Sequence, residues 1–211
     1  MEKIAEQETA PDQAPESNLG TRERVVRAAS RLMQRQGYDG TGIKQISKEA
    51  GATLGSVYHF FPGGKQELAV AAIRHGEREF AEELAGNLRS EDDPAQAVLA
   101  CTRRLAESLR ASDWVDGCPV TSTALGTAGR LPDIQQAAAE AFAHWRHLVF
   151  EKLHQAGIAE PDAHELAHTV ISTLEGAELA AQVSRDEQPL LTAGRHLARL
   201  IDLYRAPAPT A

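Results

Sequence analysis

From Thr21 onward, apolar residues recur every three or four positions, the period of an amphipathic helix. No stretch alternates apolar and polar residues convincingly enough to predict a strand. The first run has Thr21 at its N-cap and a stripe of Val25, Ala28, Ala29, Leu32 and Met33. It stops at Gly37, where a C′ glycine belongs, and so predicts a helix of about 15 residues. Two short patterns follow in GTGIKQISKEAGATLGSVYHFF. Thr41 or Gly42 opens the first, Ile43, Ile46, Ser47 and Ala50 form its inner face, and Gly51 breaks it. Thr53 then caps a second short helix whose Val57 and Phe60 or Phe61 point back at the first.

Helices this short do not persist alone. The small Ser47 lets them approach, Gly51 takes the turn and Val57 plugs the angle, which together predict a helix-turn-helix. Its second helix presents Thr53, Leu54, Ser56, Tyr58 and His59 outward. Past the tight Pro62-Gly63-Gly64 connection, a long helix carries Ala69, Ile73, Gly76, Phe80 and Leu84 on one face. Further helices are predicted over 94–112, 119–126, 132–156, 160–184 and 189–204. The last two bear apolar faces, Val170, Leu174, Ala177 and Ala181 on one and Leu190, Leu197, Ile201 and Tyr204 on the other. Such faces predict pairing with their copies across a two-fold axis.

Composition adds a boundary at each end. The first twenty residues are rich in Glu, Gln, Ala and Pro, and are expected to form a disordered acidic tail. A short tail is expected at 207–211. No apolar run approaches the roughly 20 residues of a membrane span, and the N-terminus lacks the pattern of a signal peptide, so a cytoplasmic protein with no membrane partner is expected. Cys101 and Cys118 are the only cysteines and read as small buried hydrophobes.

The net charge of −8 argues against a nucleic-acid partner until its distribution is considered. Residues 21–66 hold eight Lys and Arg against three acids, a local +5, while 1–20 and 67–211 are both acidic. One basic module sits in an acidic chain, which divides it into a DNA-binding unit over 21–66 and a second helical unit over 67–206.

The string His164-Glu165-Leu166-Ala167-His168 matches the H-E-x-x-H pattern of zinc hydrolases, in which two His one turn apart ligate the metal and the Glu activates water. The extended form of that pattern would need glycine where Ile171 stands and His where Leu174 stands. Glu175 lies two turns from His168, too far along the axis to complete a tetrahedral site. A metal-dependent helical-bundle hydrolase using His164, Glu165 and His168 is therefore the alternative reading, and no metal or cofactor is expected. His164 and His168 share a face with Ile171, Glu175 and Glu178 that suits the lining of a pocket.

The segment GYDGTGIKQISKEAGATLGSVYHFFPGGKQEL resembles the TetR family of bacterial transcriptional regulators through Gly37-Tyr38, Thr41, Ile43, Ile46, Ala50-Gly51, Gly55, Tyr58, Phe61, Lys65 and Leu68. FPGGK, CPVTSTALG and LEGAELAAQVSRDEQPL are similar to its LmrA/YxaF-like subgroup. The resemblance implies an all-α homodimer: an N-terminal three-helix DNA-binding domain with a helix-turn-helix, then a helical ligand-binding and dimerisation domain. It implies a repressor of double-stranded operator DNA that a small-molecule effector releases, through the long fourth helix. Lys44, Thr53, Leu54, Gly55, Ser56, Tyr58, His59 and Lys65 match positions that contact DNA, and Thr41 matches a helix start that contacts phosphate. Gly42 stands where the family often has a hydroxyl. Aromatics make up 5% of the chain, and Phe80, Trp114, Phe142 and Trp145, with His168 and Glu175, are expected to help line a ligand cavity. The subgroup resemblance implies an aromatic or drug-like effector.

Overall fold

A computed structural model describes residues 19–205, so both expected tails lie outside the described residues except for Leu19 and Gly20. Every regular element among the described residues is helical. In chain order they are α1 (Thr21–Gly40), α2 (Ile43–Glu49), α3 (Leu54–Phe60), α4 (Gly64–Ser90), α5 (Pro94–Ala111), α6 (Pro119–Ala124) with a 3-10 turn after it (Leu125–Thr127), α7 (Pro132–Gln155), α8 (Glu160–Ser184) and α9 (Gln188–Tyr204).

The predicted stripe of α1 is buried in full. Gly20, not Thr21, is the N-cap, and Gly37 at φ +68° kinks the helix, which then runs on to Gly40. In the α2–α3 turn the Ser47 hydroxyl donates to the Ala52 carbonyl at 2.7 Å, which spends a small polar group where two helices must touch. Gly51 sits at φ +57°, Thr53 Oγ1 accepts the Ser56 N–H at 3.1 Å as an N-cap, and Val57 is fully buried between the helices.

α4 packs against α1, α5, α6 and α7, and so belongs to both the N-terminal helices and the rest. α5 and α9 approach closely because Gly194 faces Thr102: a Cβ on Gly194 would stand 2.3 Å from the Thr102 hydroxyl. Asp93 caps α5 by accepting the N–H groups of Ala95 (2.8 Å) and Gln96 (3.1 Å). The same carboxylate pairs with Arg205 at the end of α9 at 2.5 Å, tying the last described turn to the start of α5.

Most of the residues on the apolar faces expected to meet a second copy do not face outward; Tyr204, at 42% exposure, is the exception, and Ala177 is half-buried. Val170, Leu174, Ala181, Leu190, Leu197 and Ile201 are at most 3% exposed within a single chain. The reason is topological: α8 packs on α7 and α9, and α9 on α5, so the most apolar stripes are consumed inside the protomer. The outer face instead carries Leu179, Val183 and Leu203 at 52%, 78% and 80% exposure.

Leu174→Glu and Leu197→Glu should therefore unfold the protein rather than merely split an assembly, because each buries an unpaired charge at a cost on the order of 4 kcal/mol. Gly194→Ala should cost about 1–3 kcal/mol through overpacking against Thr102. Thermal melts followed by far-UV circular dichroism check both; melts unchanged from the parent would contradict this packing.

Candidate nucleic-acid interface and interior cavity

α3 offers the surface expected of it. Tyr58 is 51% exposed and Leu54 38%, Gly55 and His59 are exposed, and Thr53 is exposed with its hydroxyl 2.9 Å from that of the partly buried Ser56. Lys44 is exposed on α2. Lys65, in the first turn of α4, lies with its ammonium 4.3 Å from the centroid of the Tyr38 ring, which holds the long side chain in place beside α3. Partial burial lowers the Lys65 pKa from its ordinary value. Arg22 lies over Phe61 at 5.2 Å, adding a second cation braced on an aromatic ring.

Thr41 departs from expectation. It is 1% exposed, and its hydroxyl donates to the Gly37 carbonyl at 2.8 Å. The kink at Gly37 presents that carbonyl to the side chain four residues on, so the hydroxyl holds the α1–α2 corner and is not displayed to a phosphate.

The structure has a cavity, but its lining is not the one expected of a ligand site. A space of about 200 Å³ lies between α1, α4, α5, the segment leading into α6, and α8. Of the expected residues only Phe80 and Glu175 line it. Trp145 is fully buried. Its ring meets Phe80 edge-on at 4.6 Å and Phe142 at 5.2 Å, and its Nε1–H donates to the Glu77 carbonyl at 3.3 Å, wedging α4 against α7. Trp114 adopts φ +65°, donates its N–H to the Leu109 carbonyl at 2.7 Å to close α5, and packs on Leu109, Ala181 and Leu190. His168 shares the azimuth of Glu175 but lies about 10 Å farther along the α8 axis, where it is exposed.

What the expectation missed is acidic. Glu79 and Glu83 on α4, Asp116, and Glu178 on α8 line the cavity with Glu175. Their spacing, i and i+4 on one helix and i and i+3 on the other, was a visible signal. Four of the five carboxylates have partners: Glu79 meets His75 at 3.3 Å, Glu83 meets Arg104 at 3.4 Å, Asp116 takes Arg35 through two bonds of 2.5 and 2.9 Å, and Glu175 accepts the Thr121 hydroxyl at 2.6 Å. Glu178 is 8% exposed, and burial, with the charges of Glu175 and Glu83, pushes its carboxyl up to about 8. Burial also raises Glu175, and it pushes the Cys101 thiol up to about 12 and the Cys118 thiol well above its usual range, so neither sulfur is a ready thiolate.

The H-E-x-x-H string stands apart from this cavity. His164 stacks on Phe150 at 3.9 Å, while Glu165 and His168 are exposed. Among the described residues no group of three or more His, Cys, Asp or Glu side chains is placed to hold a metal ion.

Residues 25–72 match the profile of the bacterial regulatory proteins of the tetR family, and residues 94–196 match the C-terminal domain of LmrA/YxaF-like transcriptional regulators. The chain is 35% identical to the HTH-type transcriptional regulator LmrA of Bacillus subtilis over 171 residues, covering 81% of this chain and 91% of that one. The chain belongs to the TetR family. A TetR regulator from Chloroflexus aurantiacus superposes with a TM-score of 0.72 at 29% identity, over 86% of this chain and 94% of that one. A cysteine mutant of the TetR-family regulator CifR, solved on a 26-base-pair operator, shares the fold with a TM-score of 0.72 at 18% identity, over 92% of this chain and 98% of that one. As a TetR-family protein of the LmrA/YxaF-like branch, the chain is a helix-turn-helix transcriptional regulator and not an enzyme. The hydrolase reading of His164, Glu165 and His168 is thereby set aside.

The buried Glu178 makes a prediction about stability. A carboxyl raised from 4.5 to about 8 in the folded state contributes stability that is fully present below pH 4.5 and lost as pH rises through 8. The parent should weaken between about pH 5 and 8, and Glu178→Gln should remove that slope, gaining on the order of 3 kcal/mol at pH 8. Denaturant melts of both proteins at several pH values test this; parallel pH profiles would contradict it.

Proposed function

We propose that this TetR-family protein is a repressor that binds a palindromic DNA duplex as a homodimer and lets go when a small molecule occupies the cavity between α4 and α8. The observation that carries this reading is the reach of α4. Its first turn holds Lys65 beside α3, and its fourth to sixth turns supply Gly76, Glu79, Phe80 and Glu83 to the cavity wall. A ligand shifts DNA binding only if it favours one spacing of the two reading heads over the other, since equal affinity for both shifts nothing. Displacing α4 would move the heads away from the roughly 34–36 Å that separates successive major-groove faces.

In this reading α3 enters the major groove with Thr53, Leu54, Gly55 and Ser56 toward the bases, and Lys44, Tyr58, His59 and Lys65 reach the flanking backbone. The +5 of residues 21–66 supplies the attraction, and the acidity of the remainder keeps it directional. Dimerisation falls to the outer faces of α8 and α9, where Leu179, Val183 and Leu203 would otherwise stay in water.

The test is fluorescence anisotropy on the duplex upstream of the protein's own gene. Tyr58→Ala and Lys65→Ala should each lower affinity about tenfold for every duplex, and Lys65→Ala should flatten the salt slope by about one. Affinity unaltered in both variants would defeat the reading of α3 and α4. Val183→Glu and Leu203→Glu should sediment as folded monomers at micromolar concentration; a variant that remains dimeric would move the interface elsewhere.

A further inference from the structure

Within the cavity, charge and size point to one kind of occupant. Its lining holds five carboxylates and no Lys, Arg or His side chain. Asp116, Glu83 and Glu79 are engaged by Arg35, Arg104 and His75, and Glu175 by a hydroxyl. Glu178 is more than nine-tenths buried, lines the space and makes no hydrogen bond or ion pair with any described residue. An isolated buried carboxyl is costly to keep and is normally satisfied by a partner. The described carboxylates do not converge as a metal site, so an ion with donors spread over several atoms suits the space better than a bare metal ion. A volume of about 200 Å³ lies below the range of drug-sized pockets, which favours a compact group. Phe80 and Leu105 supply apolar surface in the same wall, and an aromatic ring attracts a cation as well as a hydrocarbon body.

We propose that this cavity takes an organic monocation, an ammonium carried on a compact aryl-alkyl body, with Glu178 as its direct counter-ion, Glu175 beside it and Phe80 along its apolar part. The inference rests on the effector reading only for what binding does to DNA; the site itself stands on Glu178 and the cavity. Binding an ammonium favours the ionised form of Glu178. The groups facing it are Glu175 on its own helix, Glu79 and Glu83 on α4 with their partners His75 and Arg104, and Asp116 and Cys118 on the segment before α6. With this acidic surround, affinity for the cation should increase as pH rises toward and past 8 and flatten above it.

Three probes of one shape separate the possibilities: phenethylammonium, neutral phenethyl alcohol and anionic phenylacetate, each titrated calorimetrically into the full-length protein. The cation should bind about tenfold or more tightly than the alcohol, and phenylacetate should give no measurable heat. Glu178→Gln, a near-isosteric change that removes a costly buried acid, should cut affinity for the cation about tenfold or more, remove its pH dependence and leave the alcohol's weak binding in place. The proposal is overturned if the alcohol binds as tightly as the cation, or if Glu178→Gln retains full affinity for phenethylammonium. Operator release is measured separately with the same probes. A cation that binds through Glu178 without releasing DNA upholds the site and defeats the effector reading. Release by the alcohol or phenylacetate, with no cation binding, overturns the site and leaves the effector reading standing.

Discussion

Both halves of the protein are built on one helix, and the burial of α4 along its whole length is the constraint on which the rest depends. Leu68, Ala69, Ala72, Ile73, Ala81, Leu84 and Leu88 are all at 5% exposure or less, and the helix that carries them packs against α1 as well as α5, α6 and α7. Close packing of this kind does not deform continuously, since a shift of one turn must be accommodated by every neighbour. In the proposed mechanism a displacement at the cavity wall would be felt at the reading head, and the reverse.

Polar contacts reinforce that union without supplying its energy. The Gln34 amide donates to the Gly117 carbonyl at 2.6 Å, Arg35 clasps Asp116, Arg130 meets Asp39 at 2.6 Å and the Gln66 amide donates to Asp133 at 2.8 Å. All join α1 or α4 to the segments around α6 and α7. Exposed pairs of this type contribute roughly 0–1 kcal/mol each, so their effect is to fix orientation. The segment 116–118 is notable because it both grips α1 and lines the cavity, giving the cavity a second route to the N-terminal helices.

The acidic character of the cavity has a structural cost that the core does not share. The core around Trp145 is aromatic and satisfied, with its single polar atom bonded to the Glu77 carbonyl. On the cavity side of Phe80, which contacts Trp145, Glu178 is buried with its carboxyl pushed up to about 8. Perturbed buried carboxyls cluster at functional sites, and the contrast sets the acidic cavity apart from the packed core beside it.

The sequence by itself determined what depends on near neighbours along the chain. Helical periodicity placed α1 to α9 to within a few residues, the Thr53 cap and the Gly51 turn defined the helix-turn-helix, and the local +5 marked the reading head, because caps, turns and stripes are set by residues within one or two turns. Solvent exposure at Tyr58 and His59 followed from the same periodicity. Which buried face meets which neighbour was decided only by the tertiary structure. Leu174 and Leu197 face inward because α5, α7, α8 and α9 consume those stripes, leaving Val183 and Leu203 outside. Trp145 became core, His168 came to lie in solvent and Thr41 turned inward onto the Gly37 carbonyl. Glu79, Glu83, Asp116, Glu175 and Glu178 gather around one space only when helices distant in sequence pack together. Periodicity states that a side chain is on a face, and only the packing of other helices decides whether that face meets core, cavity or water.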